Sequence, residues 1–498
     1  MRSIAKLMKD WQFTGPNGVT TAVELPHTWN ARDGQDGGND YWRGCCTYCT
    51  RFAAPVYDPA QQQVWLQFEG VNASAAVLLN GQQLCTHDGG YSTFRAEVTE
   101  LLQAENQLTV RVDNSVNDRV YPQKADFTFY GGIYRDVSLL VVNKNHIALG
   151  HFGDTGVKIT PTKEASWASV RDKLVNGDLD FAHVLYGMVY GLHLGVGGPQ
   201  KDMAVLMTLN RNGQAITLSK KIADKGAVDG ASLAKLMAAE KREYTFAHTF
   251  PTGTHAMWLY YWMAAAGIDP MKDAKIITVP PPQMVANMRV GNMDGYCVGE
   301  PWGHRAIMDG IGITAATTQD IWRDHPEKVL GATSDFATKY PNTARAVMMA
   351  IIEAGRWIDA SLQNKMKMAE TVAAKSYVNT SVDAINQRIL GRYQNGLGKT
   401  WDDPNHMKFF ADGDANFPYL SDGMWFLTQH KRWGLLKSHP DYLAVAKKIN
   451  RIDLYTQAAS QLKVSVPKSP MRSSKLMDGV VWDGSDPARY ADAFKVKA

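Results

Sequence analysis

The sequence predicts two domains of different fold class, a β-sandwich followed by an α/β domain, and two observations carry this prediction. The chain has 498 residues. Up to about Pro161 it shows the pattern of short strands and tight turns, whereas from about Lys163 helices and short strands alternate. Sulfur usage changes at the same place, since only Met1 and Met8 of 21 Met precede the boundary, but four of five Cys do. No Pro/Gly/Ser-rich linker, the usual separator of neighbouring domains, lies between the halves. Each half is therefore interpreted by itself.

Composition and charge are those of a soluble globular protein. Hydrophobic residues make up 45%, charged residues 20%, and the formal net charge is +4. A charge this small gives no argument for a nucleic-acid partner or a membrane surface. No apolar run reaches the roughly 18 to 20 residues of a spanning helix. The first 13 residues lack the apolar core of an export signal, so the sequence as written indicates a cytoplasmic location.

The cysteines offer one candidate metal motif. Five is an odd number, which argues against a complete disulfide framework. Cys46 and Cys49 have the spacing of half a zinc site, but no second pair of Cys or His follows at the required distance. We interpret them as small residues on the face of a strand and predict no metal and no cofactor.

The first half contains several predicted strands. Residues 64–69 combine large side chains with partial alternation, and further strands are predicted at 107–112 and 136–142. Residues 75–79 and 82–85 flank Asn80-Gly81, which supplies the two positive φ angles of a type I′ hairpin turn. Short strands at this spacing, without a long helical segment, are typical of a sandwich or jelly roll.

Six motifs of the first half also carry a resemblance to a known family. They follow one another as LPHTWN at 25–30, YWRG at 41–44, FEGV at 68–71, LNG at 79–81, HDGGYSTF at 87–94 and FYGGIYRDV at 129–137. As a set they resemble the N-terminal sugar-binding jelly roll of family-two glycoside hydrolases, the β-galactosidase and β-glucuronidase group. The resemblance implies a sandwich over residues 1–145 and a junction over 146–163, where a truncated immunoglobulin-like segment begins.

This resemblance implies sugar contact without hydrolysis. In that family a later (β/α)₈ barrel carries the two catalytic Glu, and nothing after Pro161 resembles it. We therefore expect no catalytic residue and no enzyme activity. Asp126 matches the family's sugar-proximal acid and could accept hydrogen bonds from a galactoside or glucuronide; the alternative is an Asp on a solvated loop.

The second half has the pattern of α/β lobes with parallel strands. Ser166 is a candidate N-cap of a first helix that ends at Asn176-Gly177. Apolar and helical segments then alternate, at 205–209, 215–218, 255–266, 274–279 and 283–290. A long amphipathic helix is predicted over 342–358, with Asn342 as its N-cap.

Long motifs in the second half resemble the nitrate/bicarbonate-binding proteins of ABC importers. They are LMTLNRNGQAIT at 206–217, TFPTGTHAM at 249–257, VPPPQMVANMR at 279–289, DGYCVGEPW at 294–302, HPEKVLG at 325–331 and LSDGMW at 420–425. The resemblance implies a two-lobed, type II periplasmic-binding-protein-like body over 164–498, with the second lobe at about 223–310. It begins after the family's first strand and helix, so the first lobe is expected to be incomplete and the chain to be a fusion or chimera.

The residues themselves suit a small oxyanion. The segment from Thr252 to His255 lies at a helix start, where backbone N–H groups and the dipole favour an anion. Gln214 offers an amide donor and Lys328 a positive charge. By resemblance, the ligand positions are Trp167, Gln214, Gly253, Thr254, His255, Pro281, Pro282, Glu300 and Lys328. The alternatives are a core Trp167, a surface His255 and an ordinary exposed Lys328.

Three functions follow. The favoured one is a solute-binding protein for nitrate or nitrite in an ABC-type import system, with permease subunits as partners and a periplasmic or membrane-associated location by resemblance. Lys328 favours nitrate over bicarbonate, because the bicarbonate branch carries a calcium-holding carboxylate there. The alternatives are a truncated glycoside hydrolase without its barrel and a cytoplasmic nitrate sensor.

Overall fold

The computed structural model describes residues 3–31, 33, 41–120, 129–144 and 159–498. Contacts divide the chain into two compact units, Met1–Lys158 and Ile159–Ala498. Within the described ranges, no helix is long and apolar enough to span a bilayer. Asp126 and most of the predicted junction fall outside these ranges.

The first unit is built from antiparallel strands. In chain order these are β1 (Ser3–Lys6), β2 (Trp11–Thr14), β3 (Thr20–Val23), β4 (Cys45–Ala53), β5 (Gln62–Phe68), β6 (Val71–Asn72), β7 (Ser74–Leu79), β8 (Gln82–Asp88), β9 (Phe94–Glu97), β10 (Glu105–Asp113), β11 (Gly132–Ile133) and β12 (Val137–Asn143). One sheet has the order β1-β12-β5-β9, a second has the order β3-β2-β4-β10-β7-β8, and β6 pairs with β11. The sandwich predicted from the sequence is confirmed.

Alternation along the strands builds the sandwich core. In β10 the residues Leu108, Val110 and Val112 are fully buried while their neighbours are more exposed, the period of two expected of a strand with one buried face. They pack in one cluster with Leu66 of β5 and Val77 of β7. Apolar faces from both sheets thus form a single core, which is what the alternating sequence pattern predicts.

The predicted hairpin is present, and its turn has the required geometry. Asn80 and Gly81 adopt φ angles of 51° and 84°, and β7 pairs with β8 from Leu79 opposite Gln82 onward. Two left-handed residues are what a type I′ turn demands. In β4, Cys46 is buried and Cys49 is partly exposed. Residues three apart on a strand point to opposite faces, so these two thiols do not face one metal ion.

The second unit alternates helices with strands. Its helices are α1 (Trp167–Asn176), α2 (Tyr186–His193), α3 (Lys220–Ala223), α4 (Gly230–Glu240), α5 (Thr254–Ala265), α6 (Met284–Arg289), α7 (Trp302–Met308), α8 (Thr318–Ile321), α9 (Ser334–Lys339), α10 (Pro341–Asp359), α11 (Leu362–Val372), α12 (Val382–Ile389), α13 (Leu420–Arg432), α14 (Tyr442–Ile449), α15 (Ile452–Gln461) and α16 (Pro487–Asp492). Its strands are β13 (Ala182–Leu185), β14 (Met203–Thr208), β15 (Gln214–Ser219), β16 (Thr245–His248), β17 (Lys275–Thr278), β18 (Gly295–Gly299), β19 (Gly312–Thr317), β20 (Lys328–Thr333), β21 (Arg392–Gln394), β22 (Thr400–Asp402), β23 (Ser474–Lys475) and β24 (Val481–Trp482).

Two sheets organise this unit. A three-stranded sheet has the order β13-β20-β14, and a five-stranded sheet has the order β17-β16-β18-β15-β19. The chain passes from the first sheet to the second between β14 and β15, and it returns between β19 and β20. Both crossings therefore lie where β15 and β20 begin, and this position brings residues of the two sheets together.

The prediction of parallel strands is wrong for most pairs. Only β16–β17 and β16–β18 are parallel, while β15 runs antiparallel to β18 and β19. In the smaller sheet β20 runs antiparallel to β13 and β14. Strands that are buried on both faces show continuous apolar runs whichever direction they take. Composition therefore could not reveal strand direction here.

Helix ends were predicted with mixed success. Helix α1 begins as expected, because the Ser166 side chain accepts a hydrogen bond from the Ser169 N–H, and it ends at Gly177 with φ of 84°. The predicted Asn342 N-cap of α10 is wrong. This helix begins at Pro341, one residue earlier, and Tyr340 occupies the cap position without a side-chain cap bond. Proline favours the first helical position because its φ is already helical, so Asn342 lies inside the first turn.

Candidate functional site

A buried polar cluster forms where three elements of the second unit begin. Gln214 opens β15, His255 is the second residue of α5, and Lys328 opens β20. Their exposed fractions are 1%, 1% and 6%. We call these three residues the donor cluster. Charged and amide groups are rarely buried this deeply unless they are paired or bind a ligand.

The donor cluster converges on one carboxylate oxygen. Glu327 Oε1 accepts hydrogen bonds from Gln214 Nε2 and from Lys328 Nζ. His255 Nε2 lies 3.8 Å from the same oxygen. Two side chains thus hydrogen-bond to a single oxygen atom and a third lies close to it, and this arrangement can hold one oxygen of a small anion.

The His255 ring is held in place by Thr249. The Thr249 hydroxyl forms a hydrogen bond with Nδ1 of His255. When the hydroxyl donates, the neutral imidazole carries its proton on Nε2, the nitrogen that faces the donor cluster. Burial is the main cause, and the Lys328 charge the second, that holds the pKa of His255 well below its ordinary value. The imidazole is therefore a neutral group at pH 7.

Two atoms of the donor cluster have no hydrogen-bond partner within the described part of the chain, and both are buried. They are Gln214 Oε1 and His255 Nε2. The Gln214 amide nitrogen, by contrast, also donates to Thr254 Oγ1 at 3.3 Å. Unpaired buried polar atoms are costly and uncommon, and they are expected where a ligand completes the hydrogen bonding.

Gly299, at the end of β18, borders the same space. A Cβ atom placed on Gly299 would lie 3.6 Å from His255 Nε2 and 3.7 Å from Lys328 Nζ. Both nitrogens therefore face one point beside the strand, and only a residue without a side chain leaves that point free.

Trp167 lies beside the lysine. Lys328 Nζ is 5.4 Å from the centroid of the Trp167 ring, within range of a cation–π contact. The same ring lies 5.9 Å from that of His183 on β13. The His183 side chain is exposed on its strand, but many protein atoms lie around the ring. This desolvation, together with the Lys328 charge, lowers the pKa of His183 to about 3. A neutral imidazole and an indole thus flank the cation.

The helix start at Gly253-Thr254 is built for close approach. A Cβ atom on Gly253 would lie 2.5 Å from Leu185 Cδ1 of β13, so glycine allows α5 to begin against the smaller sheet. Thr254 is fully buried and contacts Gln214 through its hydroxyl. Two alternatives from the sequence analysis are wrong. His255 is not a surface residue and Lys328 is not an exposed lysine, because both are buried.

Glu300 points away from the donor cluster. Its Oε2 accepts a hydrogen bond from the His304 N–H at 2.9 Å, at the start of α7, and Oε1 lies 3.3 Å from Arg388 Nε. Pro281 and Pro282 form a 3₁₀ turn after β17, and Pro282 is exposed. In the part of the chain that the structure describes, Glu300, Pro281 and Pro282 form no hydrogen bond or ion pair with the donor cluster.

Two residues of the site, Glu327 and Gly299, were not singled out from the sequence. Glu327 lies inside the motif HPEKVLG, and Gly299 lies inside the motif DGYCVGEPW. The signal that could have identified Glu327 is its position directly before a candidate ligand lysine, at the turn into a buried strand. A cluster of three or more His, Cys, Asp or Glu side chains able to hold a metal is absent from the described residues.

Comparison with known proteins followed from this geometry. Residues 135–373 match the NMT1-like family, and residues 38–161 match the glycosyl hydrolase 2 galactose-binding domain-like family. The chain is 38% identical to the nitrate/nitrite binding protein NrtA of Synechocystis over 375 residues, or 73% of this chain and 83% of that protein. Against the bicarbonate-binding protein CmpA of Synechococcus elongatus the identity is 30% over 373 residues, or 70% and 82%.

The solved structures agree. The crystal structure of the periplasmic nitrate-binding protein NrtA from Synechocystis superposes with a TM-score of 0.64 at 38% identity, covering 67% of this chain and 89% of that one. The two-part composition and the resemblances predicted from the sequence are confirmed: a glycosyl hydrolase 2 sandwich precedes a binding-protein body.

Proposed function

We propose a function from the premise that this chain belongs to the nitrate/nitrite-binding protein family: its second unit binds nitrate or nitrite for an ABC-type import system. The observation that carries the proposal is the donor cluster, in which an amide, an imidazole and an ammonium group reach one oxygen position. Nitrate presents three equivalent oxygens around one negative charge, and a set of convergent donors with one cation is suited to it.

We propose that the site consists of Trp167, Gln214, Gly253, Thr254, His255, Pro281, Pro282, Glu300 and Lys328; within the described residues, Pro281, Pro282 and Glu300 make no hydrogen bond or ion pair with the donor cluster. Lys328 supplies the charge and Gln214 an oriented donor. The neutral His255 adds a directional N–H, and Trp167 shields one side from water. In a buried site each hydrogen bond to a charged group contributes about 1.5 to 3 kcal/mol, so three such donors supply roughly 4.5 to 9 kcal/mol, which corresponds to dissociation constants from roughly millimolar to micromolar.

Nitrate is the proposed solute rather than bicarbonate. The position that the bicarbonate branch fills with a calcium-holding carboxylate is Lys328 here, and an ammonium group repels a divalent cation. The higher identity to a nitrate/nitrite-binding relative than to a bicarbonate-binding one supports the same choice.

The wider setting is part of the proposal. A periplasmic or membrane-associated location and permease partners are inferred from the nitrate-binding relatives. We keep the domain limits 1–145, 146–163 and 164–498, with a second lobe at about 223–310. The sandwich is proposed to be non-catalytic, because hydrolysis in its family needs a carboxylate pair on a barrel.

Isothermal titration calorimetry with nitrate, nitrite, bicarbonate and galactose on one preparation tests the proposal. We expect saturable one-to-one binding of nitrate and nitrite, and weaker binding of bicarbonate that does not improve when calcium is added. Binding of bicarbonate alone, or no binding of any oxyanion by a protein with a cooperative melting transition, would refute it.

A further inference from the structure

Glu327 occupies the position that the proposed anion needs. Its Oε1 already accepts the hydrogen bonds of Gln214 and Lys328, and the unpaired His255 Nε2 lies 3.8 Å away. A carboxylate oxygen carries charge and accepts hydrogen bonds much as a nitrate oxygen does. The carboxylate therefore acts as an internal stand-in for the solute.

Binding an anion beside an ionised Glu327 creates an electrostatic conflict. Glu327 is 2% exposed, and among the residues that the structure describes its cationic partner is Lys328. Glu327 and Lys328 together are neutral, so adding nitrate would leave one uncompensated negative charge in a buried space. Unpaired buried charge is strongly unfavourable, and titratable groups usually respond by neutralising.

We propose that Glu327 takes up one proton from solvent when nitrate binds, and that the resulting carboxylic acid donates its O–H to the bound anion. Solute and proton then bind together, and the donor cluster transfers its hydrogen bonds from the carboxylate to nitrate. The step changes no covalent bond other than the new O–H, and buffer supplies the proton. This inference rests on the proposed function, since it describes how the same site meets its solute.

Among the ionisable groups placed around the donor cluster, Glu327 is the one that we propose to change protonation state when an anion binds. Facing it or the adjacent His255 are Lys328 on β20, Cys297 on β18, and the imidazoles of His248, His325 and His183. Burial lowers the pKa of His248 to about 4, and burial lowers that of His325 to about 3. These imidazoles therefore stay neutral from about pH 5 to about pH 8, and burial raises the pKa of the Cys297 thiol.

The direction of the pH effect follows from linkage. Burial raises the pKa of Glu327 in the free protein, although the Lys328 charge opposes this. A bound anion raises that pKa further, because two negative charges repel. Between the free and bound pKa values, each nitrate takes up one proton, so its affinity falls about tenfold per pH unit as pH rises. Below the free value the carboxyl group is already protonated, and affinity becomes independent of pH.

The test is proton counting by calorimetry. Nitrate is titrated into the full chain at about pH 5, 6.5 and 8, in buffers of different ionisation enthalpy, and the slope of the heats gives protons taken up per nitrate. We expect proton uptake by the wild-type chain within this pH range, and an affinity that falls as pH rises wherever protons are taken up. Glu327→Gln, whose amide donates in both states, is expected to bind nitrate without proton uptake or pH dependence. Glu353→Gln, at an exposed position of α10, is the matched control and keeps the wild-type proton count.

The two levels of the account fail in different ways. Nitrate binding by the wild-type chain with no proton uptake at any pH overturns the role of Glu327 and leaves the proposed function standing. The same is true if Glu327→Gln retains the full proton count. Absence of nitrate binding at every pH overturns the proposed function and this inference with it. Because the wild-type measurement needs no variant, a Glu327→Gln protein that fails to fold does not spare the proposal.

Discussion

Replacing Lys328 with alanine tests the proposed anion site most sharply. The lysine is 6% exposed, donates to Glu327 and lies over the Trp167 ring. In the proposed complex its ammonium group supplies a positive charge that contacts nitrate. Lys328→Ala removes that charge-assisted hydrogen bond but leaves the amide of Gln214 and the imidazole of His255 in place.

The expected loss follows from the type of contact removed. A hydrogen bond to a charged group contributes about 1.5 to 3 kcal/mol, which corresponds to roughly a ten- to hundredfold weaker Kd. The change also leaves the Glu327 carboxylate without its cation in a buried position, which adds a cost to folding. Lys328→Ala is therefore also compared with Lys328→Ala/Glu327→Gln, in which no buried charge is left unpaired.

Calorimetric titration with nitrate is the assay, and a thermal melt of each protein confirms that it is folded. Lys235→Ala, at an exposed position of α4, serves as a matched lysine control and should bind like the wild type. A Lys328→Ala protein that melts cooperatively and binds nitrate within twofold of the wild type would contradict the reasoning. Lys328→Glu should abolish nitrate binding outright.

Three further outcomes are expected. Gly299→Ala should fold normally, because the new methyl group makes only ordinary contacts of 3.6 and 3.7 Å. It should nevertheless lose nitrate binding in calorimetry, because the methyl group fills the space between His255 and Lys328. An unchanged affinity would place the anion elsewhere. Leu66→Ala should destabilise the sandwich by about 2 to 5 kcal/mol in denaturant unfolding, since Leu66 is fully buried in its core; a loss below about 1 kcal/mol would contradict that packing. The purified chain should not hydrolyse nitrophenyl galactoside or glucuronide, and turnover that an active-site-directed inhibitor abolishes would show otherwise.

Much of the fold could be predicted from local sequence rules. The Asn80-Gly81 turn and the Ser166 cap depend on residues close in sequence, and both are present. Strand direction in the second unit could not be predicted, because it depends on which strands meet after the chain passes between the sheets. The start of α10 was missed by one residue because Pro341 and Asn342 are both good helix-start residues, and the proline takes precedence.

The candidate site was also predictable only in part, because its residues come from distant parts of the chain. Gln214, His255 and Lys328 could be selected by their chemistry and by resemblance, and the structure brings them to one oxygen. Glu300 was selected in the same way, but its carboxylate pairs with Arg388, which lies 88 residues later in the chain. The central place of Glu327 depends on long-range packing that positions its carboxylate among donors from three segments, and a sequence pattern does not reveal such convergence.

The most direct test of the central claim is a crystal structure of the chain grown with nitrate. We expect one nitrate ion within hydrogen-bonding distance of Gln214 Nε2, His255 Nε2 and Lys328 Nζ, with the Glu327 oxygen displaced from its present position among them. Nitrate bound at a different place, or a donor cluster still closed on Glu327 at a nitrate concentration that saturates binding in solution, would contradict the account.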